Sequence, residues 1–285
     1  VGHGLVEWKD YYYIFKGDDE NIYTKEVLFG RRANHNWGSD AYTNTGRPPG
    51  QLSGKYGVAV NQLFVDCFEM KGTGLPIDDP ASQYKEQNPY VGRDPRFDYN
   101  VIYNGHKVMN RTMEIYHLDE SKPGVEGSRD LSINNGVPLM GFTQTGYYAK
   151  KWLGSAFNAH LPVLWPYIRT AERYLSYAEA ANEAWNSPKI ADKDPRCLYS
   201  AEEAINLIRE RAEMPVINSK FLTKDEFRKR VRNERRIELC FEEHRIFDLR
   251  RWKIGTQPEN RDIWRMHITK LAPGYDATTY PTGYK

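Results

Sequence analysis

The chain has 285 residues, enough to bury a large core in one large domain or two smaller ones. Its 40 basic and 38 acidic residues leave a formal net charge of +2, which gives no electrostatic reason to expect nucleic acid or an anionic membrane surface as a partner. No stretch approaches the roughly 18 apolar residues of a membrane-spanning helix. The chain starts at Val1 without a signal segment, so we expect a mature form or a fragment of a longer protein.

The aromatic composition is biased toward rings that carry a polar atom, with 20 Tyr and 7 Trp against 11 Phe. Such rings suit a surface that stacks on flat apolar faces while donating hydrogen bonds, and they also fix loops in large loop-rich domains. The three cysteines cannot form a disulfide framework. Composition alone therefore leaves a binding surface and loop fixation as alternatives.

Residues 1–162 are predicted to form a loop-rich region, because Gly, Pro, Asn and Tyr recur there every few residues. Between the turns, residues 26–30 and 100–103 are expected as short strands, and residues 60–70 as a helix. A loop-dominated region of this length is typical of one that packs on a larger body or carries a binding surface.

Residues 163–285 are predicted to be the helical region. Pro166 suits the first turn of a helix that ends before Ser187 and Pro188. One narrow face of this helix contains Ile168, Ala171, Leu175, Ala178, Asn182 and Trp185.

Two capping boxes predict the helices that follow. Ser200 with Glu203 opens a helix that is expected to stop at Pro215, and Thr223 with Glu226 opens the next one.

The helix that begins at Pro166 and the helix that begins at Ser200 both fall within residues 166–214. They are expected to form an antiparallel pair that resembles a tetratricopeptide-type hairpin. No second copy of this pattern is present. Because one such repeat cannot bury its own faces, we expect partner helices elsewhere, in sequence preceding Val1.

The third helix places acids on an apolar stripe. At 100° per residue, five side chains fall within about 40° of one direction. They are Val231, Glu234, Glu238, Phe241 and Arg245. An unpaired carboxylate in this setting is costly, so the two glutamates are expected to meet cations. The stripe predicts either a structural ion-pair lattice or a catalytic carboxylate pair.

The catalytic alternative is a glycoside hydrolase that uses Glu234 and Glu238, whose Cβ atoms would lie about 6 Å apart on one helix face. That spacing is close to the roughly 5–5.5 Å separation of carboxyls in a retaining glycosidase. Neighbouring arginines would lower both pKa values, whereas a general acid needs a raised one, so the sequence favours the lattice. These arginines are Arg209, Arg211, Arg235, Arg236, Arg245, Arg250 and Arg251. Arg250 and Arg251 are also expected to bridge helices or to lie over the indole of Trp252.

Ordered blocks across nearly the whole chain resemble the C-terminal part of the SusD/RagB family. The helical blocks are 168–183, 204–211, 234–242 and 245–252, and the earlier blocks are 63–70, 88–97 and 146–151. Glu243 stands where the family usually has Gly, which leaves open whether the chain turns before Arg245 or the helix continues.

The resemblance implies a mainly α fold with long loops and a few short strands, in which tetratricopeptide-type helices pack against a loop-rich region. It implies two regions, a ligand-binding region at 1–162 and a helical region at 163–285, with an N-terminal helical half missing from this chain. It also implies a surface-exposed lipoprotein of the outer membrane of Bacteroidetes. Such a protein is not an enzyme; it binds glycans for a SusC-like, TonB-dependent transporter, and its lipid anchor lies outside this chain.

A pyranose has an apolar C–H face and a polar rim, so an aromatic ring beside polar side chains is suited to bind it. The best candidates in the loop region are Trp37 and Tyr42. Their polar neighbours are Asn34, Asn36, Asp40 and Asn44. Tyr11, Tyr12 and Tyr13 are the next candidates, and loop fixation is the alternative role for every ring.

Other chemistry is weakly indicated. The seven His residues form no zinc-binding motif, and the acidic clusters 18–20 and 78–79 are expected to be solvated loops and not calcium sites. No phosphate-binding glycine loop is present. We therefore expect no cofactor and no metal. A tetratricopeptide adaptor that binds peptides is a further alternative, but it predicts several repeat copies where one is found.

Overall fold

The computed structural model describes residues 2–15, 25–32, 48, 57–108, 110–117, 127–131, 133–134, 137–138, 140–153, 164–189 and 192–269. The α-helices are α1 (Gln62–Val65), α2 (Arg96–Asn100), α3 (Thr170–Ala184), α4 (Ala201–Arg211), α5 (Lys224–Glu238), α6 (His244–Arg251) and α7 (Pro258–Arg261). The strands are β1 (Val27–Arg32), β2 (Val101–Ile102), β3 (Lys107–Val108), β4 (Arg111–Thr112), β5 (Ile133–Asn134), β6 (Val137–Pro138), β7 (Tyr148–Ala149) and β8 (Leu164–Arg169). Two 3-10 helices span Trp8–Phe15 and Ser219–Phe221. The predicted fold class, mainly α with long loops and a few short strands, is confirmed.

Helices α3, α4 and α5 form the helical body. Both predicted capping boxes are present, at Ser200 with Glu203 and at Thr223 with Glu226, and they begin α4 and α5 as expected. Alanines of α3 and α4 are buried together with Ile205, so the two helix backbones approach closely.

The predicted start of the first helix at Pro166 is wrong. Pro166 lies inside β8, which pairs antiparallel with β1 and places it opposite Gly30, and α3 begins only at Thr170. Proline is tolerated here because β8 is paired on one side within a two-stranded sheet. As a result Ile168, expected on the buried helix face, is 45% exposed on the strand.

The loop-rich region forms short elements on a shared core. The strands expected near residues 26–30 and 100–103 are confirmed as β1 and β2. The helix expected over residues 60–70 is wrong in length, because α1 ends at Val65. The next turn buries Phe68, which packs in one cluster with Val60, Phe97, Tyr147 and Ile237 of α5.

The chain contacts itself across the predicted boundary at residue 162. The β1–β8 ladder and the cluster that contains Phe97 and Ile237 both join residues from the two sides. The division into 1–162 and 163–285 stays a prediction. Within the described ranges, none of the helices has the length and apolar character that a membrane crossing requires.

Candidate functional site

The two glutamates that the sequence marked as a possible catalytic pair lie on the buried face of α5, 1% and 0% exposed. Arg96, on α2, bridges them, because its Nη1 donates to Glu234 Oε1 at 2.5 Å and to Glu238 Oε2 at 3.0 Å. Arg209 Nη1 donates to Glu234 Oε2 at 2.9 Å. The predicted cation at Arg209 is therefore confirmed, and Arg96 adds one that the stripe pattern did not indicate.

Glu238 is the most heavily paired carboxylate of this cluster. Arg169 Nη1 donates to its Oε1 at 2.7 Å, and Arg211 contacts the same oxygen. Burial alone would raise the pKa of Glu238, but Arg211, Arg169 and Arg96 hold it well below its usual value.

Glu242 continues the cluster. It accepts from Arg169 Nε at 2.7 Å and from Lys151 Nζ at 2.6 Å. Burial opposes ionisation of Glu242, yet Arg169 and Lys151 lower its pKa. We call the buried set of Glu26, Asp94, Arg96, Lys151, Arg169, Arg209, Arg211, Glu234, Glu238 and Glu242 the ion lattice.

The ion lattice confirms the structural interpretation of the acidic stripe. A general acid must hold a proton near neutral pH, whereas burial is outweighed at Glu234 by Arg96 and Arg209, which lower its pKa. Both carboxylates are almost fully enclosed by protein. The pair is therefore unsuited to glycoside hydrolysis and instead joins α5 to the loop-rich region.

The chain turns sharply after α5, which resolves the alternatives left open at Glu243. Phe241 and Glu243 have φ angles of 60° and 65°, in the left-handed region, and α6 begins at His244. The helix therefore does not run on through Glu243. Phe241 and Arg245 are only partly buried, so the buried stripe effectively ends with α5.

Trp252 is held as the sequence predicted for the segment of Arg250 to Trp252. Arg251 lies over its ring at 4.5 Å and donates to Glu179 of α3 at 2.6 Å, and Trp252 Nε1 donates to the same carboxylate at 2.7 Å. A second guanidinium, that of Arg232, lies 4.7 Å from the ring centroid.

A pocket of about 670 Å³ lies beside this turn. Its walls are mostly apolar and are formed by Val58, Ala149, Trp152, Leu153, Trp165, Phe241, Ile246 and Phe247, with Glu243 and Arg245 as the charged members. Trp152 and Trp165 stack with ring centroids 4.6 Å apart and planes within 11° of parallel. Trp152 Nε1 donates to Phe241 O at 3.1 Å, which fixes this ring in the wall. A large apolar pocket with a few polar groups is the usual form of a small-molecule site.

The sequence-predicted ligand residues relate to this pocket only in part. Trp37, Tyr42, Asn36 and Asp40, together with Asn34 and Asn44, lie outside the described residues. Tyr13 is 40% exposed on the 3-10 helix, Tyr11 is fully buried, and the Tyr12 hydroxyl donates to the carbonyl of the pocket residue Leu153.

The pocket rings Trp152 and Trp165 were missed by sequence reasoning. Trp165 directly precedes Pro166, which the sequence assigned to a helix start, and local pattern does not bring together two residues from separate elements. The predicted solvated loop at 78–79 forms no group able to hold a metal, and neither does any other part of the chain that the structure describes.

A family model described as the SusD family matches residues 25–279. Among solved structures, a SusD-like carbohydrate-binding protein from Bacteroides fragilis is 25% identical, with a TM-score of 0.70 over 99% of this chain and 50% of that chain. A second SusD-like protein from Bacteroides fragilis is 27% identical, with a TM-score of 0.62 over 89% of this chain and 48% of that chain. The chain thus spans about half the length of these structures. No match was found among curated proteins.

Proposed function

Because this chain belongs to the SusD family, we propose that it binds glycans and delivers them to a TonB-dependent outer-membrane porin as the surface component of a nutrient uptake complex. The observation that carries the proposal is the apolar pocket with the stacked Trp152 and Trp165 in its wall and charged groups at Glu243 and Arg245. Of the two similar proteins from Bacteroides fragilis, the one with the TM-score of 0.70 is described as carbohydrate-binding.

The pocket chemistry suits a sugar. A pyranose ring presents an apolar C–H face that packs on an indole, and its hydroxyls require donors and acceptors at the edge of the same surface. Arg245 supplies donors and Glu243 supplies an acceptor, and both line the pocket with Trp165. A pocket of about 670 Å³ is in the range of sites that hold a drug-sized molecule, which corresponds to a short oligosaccharide.

The loop residues remain part of this proposal. The segment that contains Trp37 and Tyr42 follows Arg32, which pairs with Leu164 beside Trp165, and it precedes Val58, which lines the pocket. Both flanks of that segment thus lie next to the pocket. We propose that Trp37, Tyr42, Asn36 and Asp40 contact the glycan with the pocket residues, and that Tyr13 is an accessory contact.

The partner and the location belong to the same proposal. A SusC-like, TonB-dependent transporter would receive the glycan, the protein would be exposed at the surface of the outer membrane, and a lipid anchor outside this chain would hold it there. Family membership supports these assignments. Co-purification of a tagged, full-length protein with a TonB-dependent transporter from solubilised outer membranes tests them, and recovery from the periplasm without the transporter would contradict them.

Glycan-array screening of this chain, followed by calorimetry on the best oligosaccharide, tests the binding function. Trp37→Ala is expected to weaken binding at least 10-fold, which corresponds to about 1.4 kcal/mol. Trp264→Ala is the matched control, because this indole is 59% exposed and does not line the pocket. The proposal fails if no oligosaccharide binds, or if the chain binds peptides tightly instead.

A further inference from the structure

A second, smaller cavity of about 210 Å³ adjoins the pocket. Phe241 and Arg245 line both cavities, so they form the wall between them. The smaller cavity is lined by three arginines, Arg235, Arg236 and Arg245. Three guanidinium groups in so small a space repel one another and are partly removed from water, so each is stabilised by an anionic partner where one is present.

Among the described residues, Asp248 is the carboxylate that lines this cavity, and it already pairs with Arg235 and Arg251. Asp248 is 3% exposed and accepts from Arg235 Nε at 3.0 Å and 2.9 Å through its two oxygens. It also accepts from Arg251 Nε at 2.8 Å. Asp248 is thus shared between Arg235 and Arg251, and within the described residues it pairs with neither Arg236 nor Arg245.

Arg236 and Arg245 are the two cations left over. Within the part of the chain that the structure describes, neither forms an ion pair with a carboxylate. Arg236 lies 6.0 Å from the centroid of the Phe64 ring, and Arg245 donates only to the neutral side chain of Asn260. Burial and the charge of Arg236 lower the pKa of Arg245 to about 10. Carboxylates act on these two arginines only from beyond ion-pair distance, Asp66 on Arg236 and Asp248 with Glu259 on Arg245.

Helix α6 adds to the positive potential of this cavity, because its first residue, His244, lines the wall. The N-terminus of a helix carries partial positive charge and unpaired N–H groups. The residue before it, Glu243, makes no side-chain cap to these groups. Burial lowers the pKa of His244, so the ring itself is neutral and adds no charge at neutral pH.

We propose that Arg236 and Arg245 bind an oxyanion, either a carboxylate or a sulfate ester, carried by the glycan in the adjoining pocket. Guanidinium groups bind such oxyanions through paired N–H donors, and the interaction strengthens where water is partly excluded. Because Arg245 and Phe241 border both cavities, a sugar stacked in the larger one can place an acidic substituent in the smaller one. This inference rests on the proposed glycan function and narrows it to acidic glycans.

Calorimetry on this chain with three probes tests the inference: inorganic sulfate, a neutral cello-oligosaccharide series, and acidic oligosaccharides that bear either galacturonate or sulfate esters. We expect acidic oligosaccharides to bind, and Arg236→Gln to weaken them at least 10-fold. Arg250→Gln is the matched control, because Arg250 is an exposed arginine on the same helix as Arg245 and lines neither cavity. The affinity for acidic probes is also expected to fall as ionic strength rises.

The outcomes separate this site from the glycan function. Binding of acidic probes that is equal in wild type and Arg236→Gln would overturn the oxyanion site, as would binding of neutral oligosaccharides alone, which leaves the glycan function intact. Binding of inorganic sulfate that Arg236→Gln abolishes, without binding of any oligosaccharide, would support the anion site and overturn the glycan as its source.

Discussion

Arginine side chains lie at two opposite faces of α5, but they are paired with carboxylates at one face and not at the other. On the buried face Glu234 and Glu238 meet Arg96 and Arg209 within the ion lattice, and each charge has a partner of opposite sign. On the other face Arg236 lines the small cavity with no paired carboxylate among the described residues. The difference indicates that α5 is a structural helix on one side and lines the small cavity of the proposed oxyanion site on the other.

The face of α5 that carries the ion lattice is closed to solvent, so its charged side chains have a structural role. A buried charge is tolerated when several hydrogen bonds satisfy it, and removal of one partner leaves the others unpaired at high cost. The cavity face is partly open, so hydration stabilises an unpaired guanidinium there.

Acidification is expected to have the largest effect, because it acts on Glu234, Glu238 and Glu242 together. The pKa values of Glu234, Glu238 and Glu242 are lowered by folding, so the unfolded state binds more protons in acid. Their contribution to stability is present above their unfolded pKa values, near 4.3, and is lost as pH falls through the lower folded values. Urea unfolding from pH 7 to pH 3 measures this, and a flat free energy of unfolding below pH 5 would contradict it.

Glu238→Gln is expected to cost about 3–5 kcal/mol of unfolding free energy, because it leaves Arg96, Arg169 and Arg211 without their shared carboxylate. Denaturant unfolding measures the loss. Glu210→Gln, at an exposed position on α4, is the control and is expected to stay within about 0.5 kcal/mol of wild type. A loss below 1 kcal/mol for Glu238→Gln would show that the lattice is dispensable. Under conditions where the variant is fully folded, its glycan affinity is expected to equal that of wild type.

Glu243→Gly is expected to raise the free energy of unfolding by about 1 kcal/mol. Glu243 has a φ angle of 65°, a left-handed conformation that costs a residue with a Cβ about 1–2 kcal/mol, and glycine adopts it freely. Part of that gain is offset by the larger entropy of glycine in the unfolded chain. Glu243→Ala keeps the Cβ and removes the charge, so a thermal midpoint raised equally by both variants would assign the effect to charge and not to backbone strain.

Arg236→Gln is expected to have the smallest effect on stability, within about 0.5 kcal/mol, because it removes no ion pair and relieves repulsion on Arg245. Urea denaturation in a buffer without added sulfate, phosphate or carboxylate measures it. A loss as large as that of Glu238→Gln would mean that Arg236 is part of the structural network, and the contrast between the two faces of α5 would fail.

The starts of α4 and α5 and the acidic stripe of α5 could be predicted from the sequence because their signals are local. The capping boxes at Ser200 and Thr223 involve residues three positions apart, and the α5 stripe repeats every three to four residues. Arg209 and Arg211 were readable as partners because they lie on the preceding helix. The resemblance to the SusD/RagB family, based on the order of the blocks, is confirmed over residues 25–279.

The residues that line the pocket and the small cavity could not be predicted from the sequence, because they come from separate segments of the chain. Trp152 and Trp165 stack although they belong to separate segments, and nothing in either local sequence marks the other as its partner. Asp248 pairs with Arg235 across two helices, whereas Arg236 and Arg245 form no ion pair among the described residues, and this difference depends on how α5 packs against α6 and not on local spacing.

By itself the sequence determined α4 and α5 with their caps, the need for cations beside Glu234 and Glu238, and the family. The tertiary structure alone decided which cations answer that need, because Arg96 lies 138 positions from Glu234 and reaches it only through the packing of α2 on α5. It also decided that residues 164–169 form a strand, since β1 supplies the partner, and that Glu243 turns the chain. Capping and periodicity act within one helical turn, whereas ion pairs, strand pairing and cavities depend on where the chain returns to itself.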